Sequence, residues 1–330
     1  MSLTVNHQTN DISNATGTIL VNGVAVGGNN SPVWYGSRGV FGGGNTGQAV
    51  NTIDYITIAS TGNAADFGDL TGARRYGAGC SNGIRGIFAG GKDGSTYKNV
   101  IDYITIATTS NATDFGDLTE SIQALSALSN GIRGVFGGGN TGSKSNVISY
   151  VTIATTGNAT DFGDLTSAKD GIAGLSDYTR GVFGGGYNGS SNVTDIEYVT
   201  VATTGNATDF GDLTLARSFL GACSSTVRGV FGGGGTASDP YRVNTIDYIT
   251  IQTTGNATDF GDLSTARYKG AGLSNKTRML LGAGDTGSNN FKDEISYFTI
   301  SSTGNDTDFG NLATANSQLT AFSNSHGGLA

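Results

Sequence analysis

Histidine is almost absent from this chain. His7 near the N-terminus and His326 near the C-terminus are the two copies in 330 residues, and neither lies in a repeated segment. Imidazole is the commonest acid–base and metal-ligating group at neutral pH, so its scarcity argues against a histidine relay or a histidine-built metal centre. No nucleophile elbow occurs and no Cys–His pairing is evident; an enzyme is not expected. Positive charge is thin too, with 18 Lys and Arg against 26 Asp and Glu and a net charge of −8. No basic run exists, which excludes the phosphate-tracking surface of a nucleic-acid binder. No stretch approaches the roughly 18 apolar residues of a membrane-spanning helix. The opening segment, Met1 to Asn10, lacks a basic stretch followed by an apolar one, so it does not read as a secretory signal.

Glycine is abundant, with 55 copies against 2 prolines. Such a bias can mark disorder, but disordered chains lack β-branched and aromatic residues. Here Ile, Val, Tyr and Phe recur at fixed places, so the glycines are positional. The segment RGVFGGG begins at Arg38, Arg133, Arg180 and Arg228, with variants RGIFAGG at Arg85 and RMLLGAG at Arg278. A second landmark, DFGDL, begins at Asp66, Asp114, Asp161, Asp209 and Asp259, and becomes DFGNL at Asp308. Both recur about every 48 residues, a period that signals propellers or solenoids.

Each unit holds four short extended runs and no helical pattern. In the fifth they are Gly270 to Leu273, Arg278 to Leu281, the alternating run Asp247 to Thr253, and DFGDL after a TGNAT turn. Four strands per repeat predict an all-β, six-bladed β-propeller with four-stranded blades over residues 33–330, preceded by a leader over 1–32. The small residues of GAGCS, SALS, AGLSD, GACSS, GAGLS and TAFS suit the crowded axis. Phe41, Phe88, Phe136, Phe183 and Phe231 suit the widening space between blades. Residues 316–330 align with an inner strand, and should close the ring on the blade beginning near Arg38. Cys80 and Cys223 occupy one place three repeats apart, on opposite sides of such a ring. They are expected as buried thiols beyond disulfide reach, in a fold independent of an oxidising compartment.

The glycine doublet Gly185-Gly186, the strand tyrosine Tyr198 and the element Phe210-x-x-Leu213 recur in all six units and resemble the kelch repeat, with Phe where kelch usually has Trp. That resemblance implies the fold and says little about function. Copper oxidases on kelch propellers need converging His, Tyr and Cys ligands, a set this chain lacks. The constancy of TTGNATDFGDLT is similar to kelch-like proteins of phage genomes. The leader LTVNHQTNDISNATGTILVNGVAVGG is similar to N-terminal segments of bacteriophage tail-fibre proteins. The resemblance implies a virion protein of the tail or tail fibre, with residues 1–32 docking onto other virion proteins. The propeller would meet a host-surface glycan or protein, without membrane insertion. A purely structural capsid decoration or tail spacer is the alternative, and a polysaccharide-active enzyme a third. A fibre setting favours a homo-oligomer, although no heptads support one.

Three constellations invite a site. The acids of TGNATDFGDL, such as Asp209 and Asp212, could ligate calcium. Their separation by a packing phenylalanine favours a turn cap and an Arg partner instead, so no metal or cofactor is expected. Arg38, Arg85, Arg133, Arg180, Arg228 and Arg278 form a structural ring. They either face the channel, where they would suit an anion, or bond Asp residues and tie blades together; strict repetition favours the second. Basic residues Arg74, Lys169, Arg217 and Arg267 follow DFGDL in most units. Variation marks the third constellation. The loops after each glycine run differ most and carry Tyr97, Tyr187, Tyr241 and Phe291 among Asn, Ser and Gly, a mixture suited to binding. The sequons at Asn111, Asn158, Asn206, Asn256 and Asn305 repeat one turn and read as turn chemistry, not glycosylation.

Overall fold

A computed structural model describes residues 3–6, 11–14, 19–21, 24–26, 36–275 and 277–325; His7 and His326 lie outside them. The chain divides into two compact units, 1–32 and 33–330. In the first, Leu3–Asn6 pairs antiparallel with Asp11–Asn14, and Ile19–Val21 with Val24–Val26.

The second unit is a six-bladed β-propeller of four-stranded antiparallel sheets. Blade 5 shows the pattern: an inner strand Gly221–Ser224, then Arg228–Gly232, Thr245–Thr250 and the outer strand Thr258–Asp262. The third strand stops three residues before the alternating run does, because Ile251 turns its N–H to the Val227 carbonyl (2.9 Å). A bulge between Ile246 and Asp247 admits the extra residue of DFGD. Blade 1 takes its inner strand, Thr320–Ser323, from the C-terminal end of the chain and pairs it with Arg38–Gly42. The ring closes as the repeat alignment predicts.

The main contacts between blades recur around the ring. Phe88 lies against Gly42, Phe183 against Gly137, Phe231 against Gly184 and Phe41 against Gly282, where an added Cβ would come within 3 Å of the ring. The phenyl groups are 0–2 % exposed. At the axis, each inner-strand serine donates its hydroxyl to the serine carbonyl of the blade before. Ser129 donates to Ser81, Ser176 to Ser129, Ser224 to Ser176, Ser274 to Ser224, Ser323 to Ser274 and Ser81 to Ser323, at 2.6 to 2.8 Å. Cys80 and Cys223 are free and buried, and burial pushes both thiols well above their ordinary value.

The six arginines join neighbouring blades, but not through aspartates. The guanidinium groups do not line the channel, which the inner strands line; each starts a second strand and lies over the tyrosine of the third. Arg38 sits over Tyr55, Arg85 over Tyr103, Arg133 over Tyr150, Arg180 over Tyr198, Arg228 over Tyr248 and Arg278 over Tyr297, at 4.3 to 4.6 Å. Their partners are carbonyls of the following blade, not aspartates: Arg38 donates to Ile106, Arg85 to Ile153, Arg180 to Ile251 and Arg278 to Ile58. The aspartates of DFGD do not pair with the basic residues that follow them either. Arg74 meets Asp102 and Arg217 meets Asp247, both at 2.8 Å, while Lys169 meets Glu197 and Arg267 meets Glu294. Those acids stand on the third strand of the next blade, where the buried cations can reach them.

Candidate functional site

The glycine run exists to bring a loop back onto the axis. Gly185 and Gly186 have φ of +66° and +111°, and a Cβ on Gly185 would stand 2.6 Å from the Arg217 carbonyl. Glycine meets both demands at least cost, and Ala283 bears the same left-handed backbone at the equivalent position of blade 6, with φ of +63°. The residue after each run then makes an isolated bridge to the segment entering the inner strand of its own blade. These bridges join Asn45 to Ser317, Lys92 to Arg75, Asn140 to Gln123, Tyr187 to Asp170, Gly235 to Ser218 and Asp285 to Tyr268.

The residue beyond each bridge is left-handed. Tyr76, Ala124, Gly171, Phe219, Lys269 and Gln318 all have φ between 54° and 62°. Their backbones form a closed ring. Ala124 N–H donates to the Tyr76 carbonyl, Gly171 to Ala124, Phe219 to Gly171, Lys269 to Phe219, Gln318 to Lys269 and Tyr76 to Gln318, at 2.7 to 2.9 Å. Left-handed backbone costs a non-glycine residue about 1–2 kcal/mol, and five of the six positions bear it. Position and backbone are fixed; the side chains are six different ones. At the serine end of the same channel all six side chains are identical.

The ring frames the mouth of an axial funnel of about 130 Å³, walled below by glycine and alanine of the inner strands. Tyr76 and Phe219 come from blades on opposite sides of the axis and meet across it, centroids 5.7 Å apart and planes at 53°. Gly171 leaves room for the Phe219 ring, which would stand 3.1 Å from a Cβ there. Lys269 Nζ lies 5.7 Å from both ring centroids and 4.2 Å above Tyr268, whose hydroxyl it reaches at 3.0 Å. Lys92 Nζ approaches Tyr76 to 5.6 Å. Gln318 is 8 % exposed, and its side-chain oxygen has no hydrogen-bond partner.

The cations divide by role. The six stacked arginines and four ion-paired bases account for ten of the 18 cations. Seven of the rest, Arg75, Lys92, Lys98, Lys144, Arg242, Lys269 and Lys292, belong to the mouth and its loops. Among the described residues, Lys144 alone of these seven has a carboxylate partner, Asp170 at 2.7 Å. The DFGD acids sit on the outer strands, whereas Asp93, Asp170, Asp239, Asp285 and Asp293 share the mouth and its loops with these cations. Burial lowers the Lys92 pKa, and Arg75 and Lys269 lower it further. Burial acts against charge on Lys269 as well, yet the Tyr76 and Tyr268 hydroxyls outweigh it and raise that pKa. Among the described residues no three His, Cys, Asp or Glu side chains converge.

The four loop aromatics lie on this face but outside the funnel. Tyr97 pairs with Lys92 in a two-residue hairpin. Tyr187 donates its hydroxyl to the Gly189 carbonyl at 2.9 Å and carries Lys144 Nζ 4.9 Å above its ring. Phe291 bridges Asp285. These three are half-buried and brace their own loops, while Tyr241 is 57 % exposed. The mouth residues Tyr76, Phe219, Lys269, Lys92 and Gln318 escaped the sequence reading. A signal for them exists in the dipeptides before each inner strand, RY, QA, DG, SF, YK and SQ, which differ throughout inside an otherwise constant frame.

The chain matches no protein-family model and no curated protein.

Proposed function

We propose that this protein is a non-enzymatic receptor-binding component of a bacteriophage tail or tail fibre, presenting the glycine-run face of its propeller to the host surface. The observation that carries the reading is the contrast between the two ends of one channel. Serine repeats six times at one end, whereas six unlike side chains and most of the unpaired cations gather at the other. Packing explains repetition; a ligand explains difference held on a fixed backbone. The likeness of the repeat to kelch units of phage genomes, and of residues 1–32 to tail-fibre leaders, supports the virion setting and a docking role for the leader.

Immunogold microscopy of intact particles with antibody against residues 33–330 tests the setting. Label at the tail tip or fibres is expected. Label over the capsid would favour a decoration protein instead, and unlabelled particles would refute the virion reading. Deleting residues 1–32 should leave a folded propeller that no longer enters particles.

A further inference from the structure

Three features of the axial mouth break the sixfold repetition of the propeller. Two aromatic rings meet across the axis, each from a position where other blades manage with glycine or alanine. Arg75, Lys92 and Lys269 gather beside them with no carboxylate in ion-pair contact among the described residues. Gln318 holds a buried carbonyl oxygen without a hydrogen-bond partner, an arrangement that destabilises a free protein.

Resting on the reading of this face as a binding surface, we propose that the mouth binds an acidic sugar. One pyranose ring packs against Tyr76 and Phe219, and its carboxylate or sulfate meets Lys92 and Lys269. The aromatic pair offers apolar faces to the C–H face of a sugar ring, and the unpaired ammonium groups call for an anion. The funnel of about 130 Å³ is smaller than a site that engulfs a drug-sized ligand. A terminal residue would enter it while the rest of the glycan runs over the loops bearing Tyr241.

The same geometry disfavours other anions. An extended peptide is captured through free backbone groups, and the six N–H and six C=O groups of the mouth are spent on one another. A bare phosphate seeks backbone N–H nests, which that ring also removes. A nucleic acid would face a chain of net charge −8.

Calorimetric titration of the full chain tests this with four probes: a tetragalacturonate, a sulfated galactan tetrasaccharide, neutral galactotetraose and a tetraglutamate peptide. The acidic sugars should bind, and whichever of the two binds tighter identifies the anionic group. Lys269→Gln and Tyr76→Ala should each weaken binding about tenfold or more, as loss of a charged contact or a stacking face does. Tyr76→Phe, which keeps the stacking face, should retain it. Circular dichroism would establish that each variant is folded. Equal binding of neutral sugar, equal binding of the peptide, no binding of either acidic sugar, or indifference to Lys269→Gln would each overturn the proposal. Cell binding by wild type that survives Lys269→Gln would sink the acidic-sugar site and leave the receptor reading standing. Acidic-sugar binding by a protein absent from virions would do the reverse.

Discussion

Arg217 and Asp247 are both fully buried and meet at 2.8 Å across a blade interface. Breaking such a pair from one side leaves a buried charge and costs about 3–5 kcal/mol, whereas replacing both partners is often nearly neutral. The chain carries its own control. At the equivalent interface between blades 2 and 3 the base is Ile122 and the acid is Ser149, so both members have gone together. Where Asn316 replaces the base, Asp54 keeps its carboxyl, and burial raises its pKa. Arg217→Ile alone should therefore lower the urea midpoint sharply, and Arg217→Ile with Asp247→Ser should recover most of the loss. A double variant as weak as the single one would refute this account. At the mouth, Lys92 is the lysine whose charge is least secure, since burial and two cations push its pKa down. An anion binds the protonated form, so binding takes up a proton and weakens as pH rises. That loss should begin below the ordinary lysine range and leave a residue of affinity carried by Lys269, whose pKa is raised. Affinity for tetragalacturonate that stays constant until ordinary lysines titrate would contradict it.

An outer strand is normally an exposed edge, yet here each one is covered by the turn of the following blade. Asp212 N–H donates to the Asn256 side chain at 3.1 Å, and Ala257 N–H returns to the Asp212 carbonyl at 2.7 Å. The same side-chain bond recurs from Asn63, Asn111, Asn158, Asn206 and Asn305. This is why the turn asparagine recurs in all six units, a fact whose cause the sequence did not disclose. Strand periodicity is local and legible within six residues, and it located every blade. The bond that holds the turn joins residues 44 positions apart, and nothing local marks it. The mouth was hidden for a related reason. Its residues were sought among the longest variable loops, whereas the decisive ones occupy a two-residue position that the left-handed backbone holds at the axis. The close approach at the rim makes a sharp prediction. Gly211 has φ of +145°, and a Cβ there would stand 2.5 Å from the Gly255 carbonyl. Gly211→Ala should cost roughly 2–4 kcal/mol from overpacking and backbone strain together. Asn256→Ala, which removes one hydrogen bond, should cost about 1 kcal/mol. Guanidinium unfolding curves would rank the two, and a reversed order would show that the cap, not the close approach, dominates the rim.

Six near-identical blades give a ring no natural beginning, so stability of the whole depends on how its two ends join. The join is the pairing of Thr320–Ser323 with Arg38–Gly42, some 280 residues apart in the chain. Four further hydrogen bonds converge there. Asn324 accepts the Arg38 N–H on its side chain at 2.7 Å and the Gly36 N–H on its carbonyl at 3.2 Å, and Ser323 completes the serine ring through its hydroxyl and its carbonyl. Closing so long a loop is entropically costly and slow, but its cost grows only logarithmically with length, while closure removes the last open strand edge. Ending the chain at Gln318 should leave blades 2 to 6 internally paired and expose Arg38–Gly42 as an edge. That edge is rich in buried apolar groups, with Val40 and Phe41 at 0 % and 2 % exposure in the closed ring. The truncated protein should self-associate on size-exclusion chromatography and unfold at a lower midpoint with a broader transition, as blades lose the cooperativity that closure imposes. A peptide spanning 317–330, added in trans, should restore the monomer by supplying the missing strand. A truncated chain that stays monomeric and unfolds with the full-length midpoint would mean that the interfaces between blades, and not the join, hold the ring.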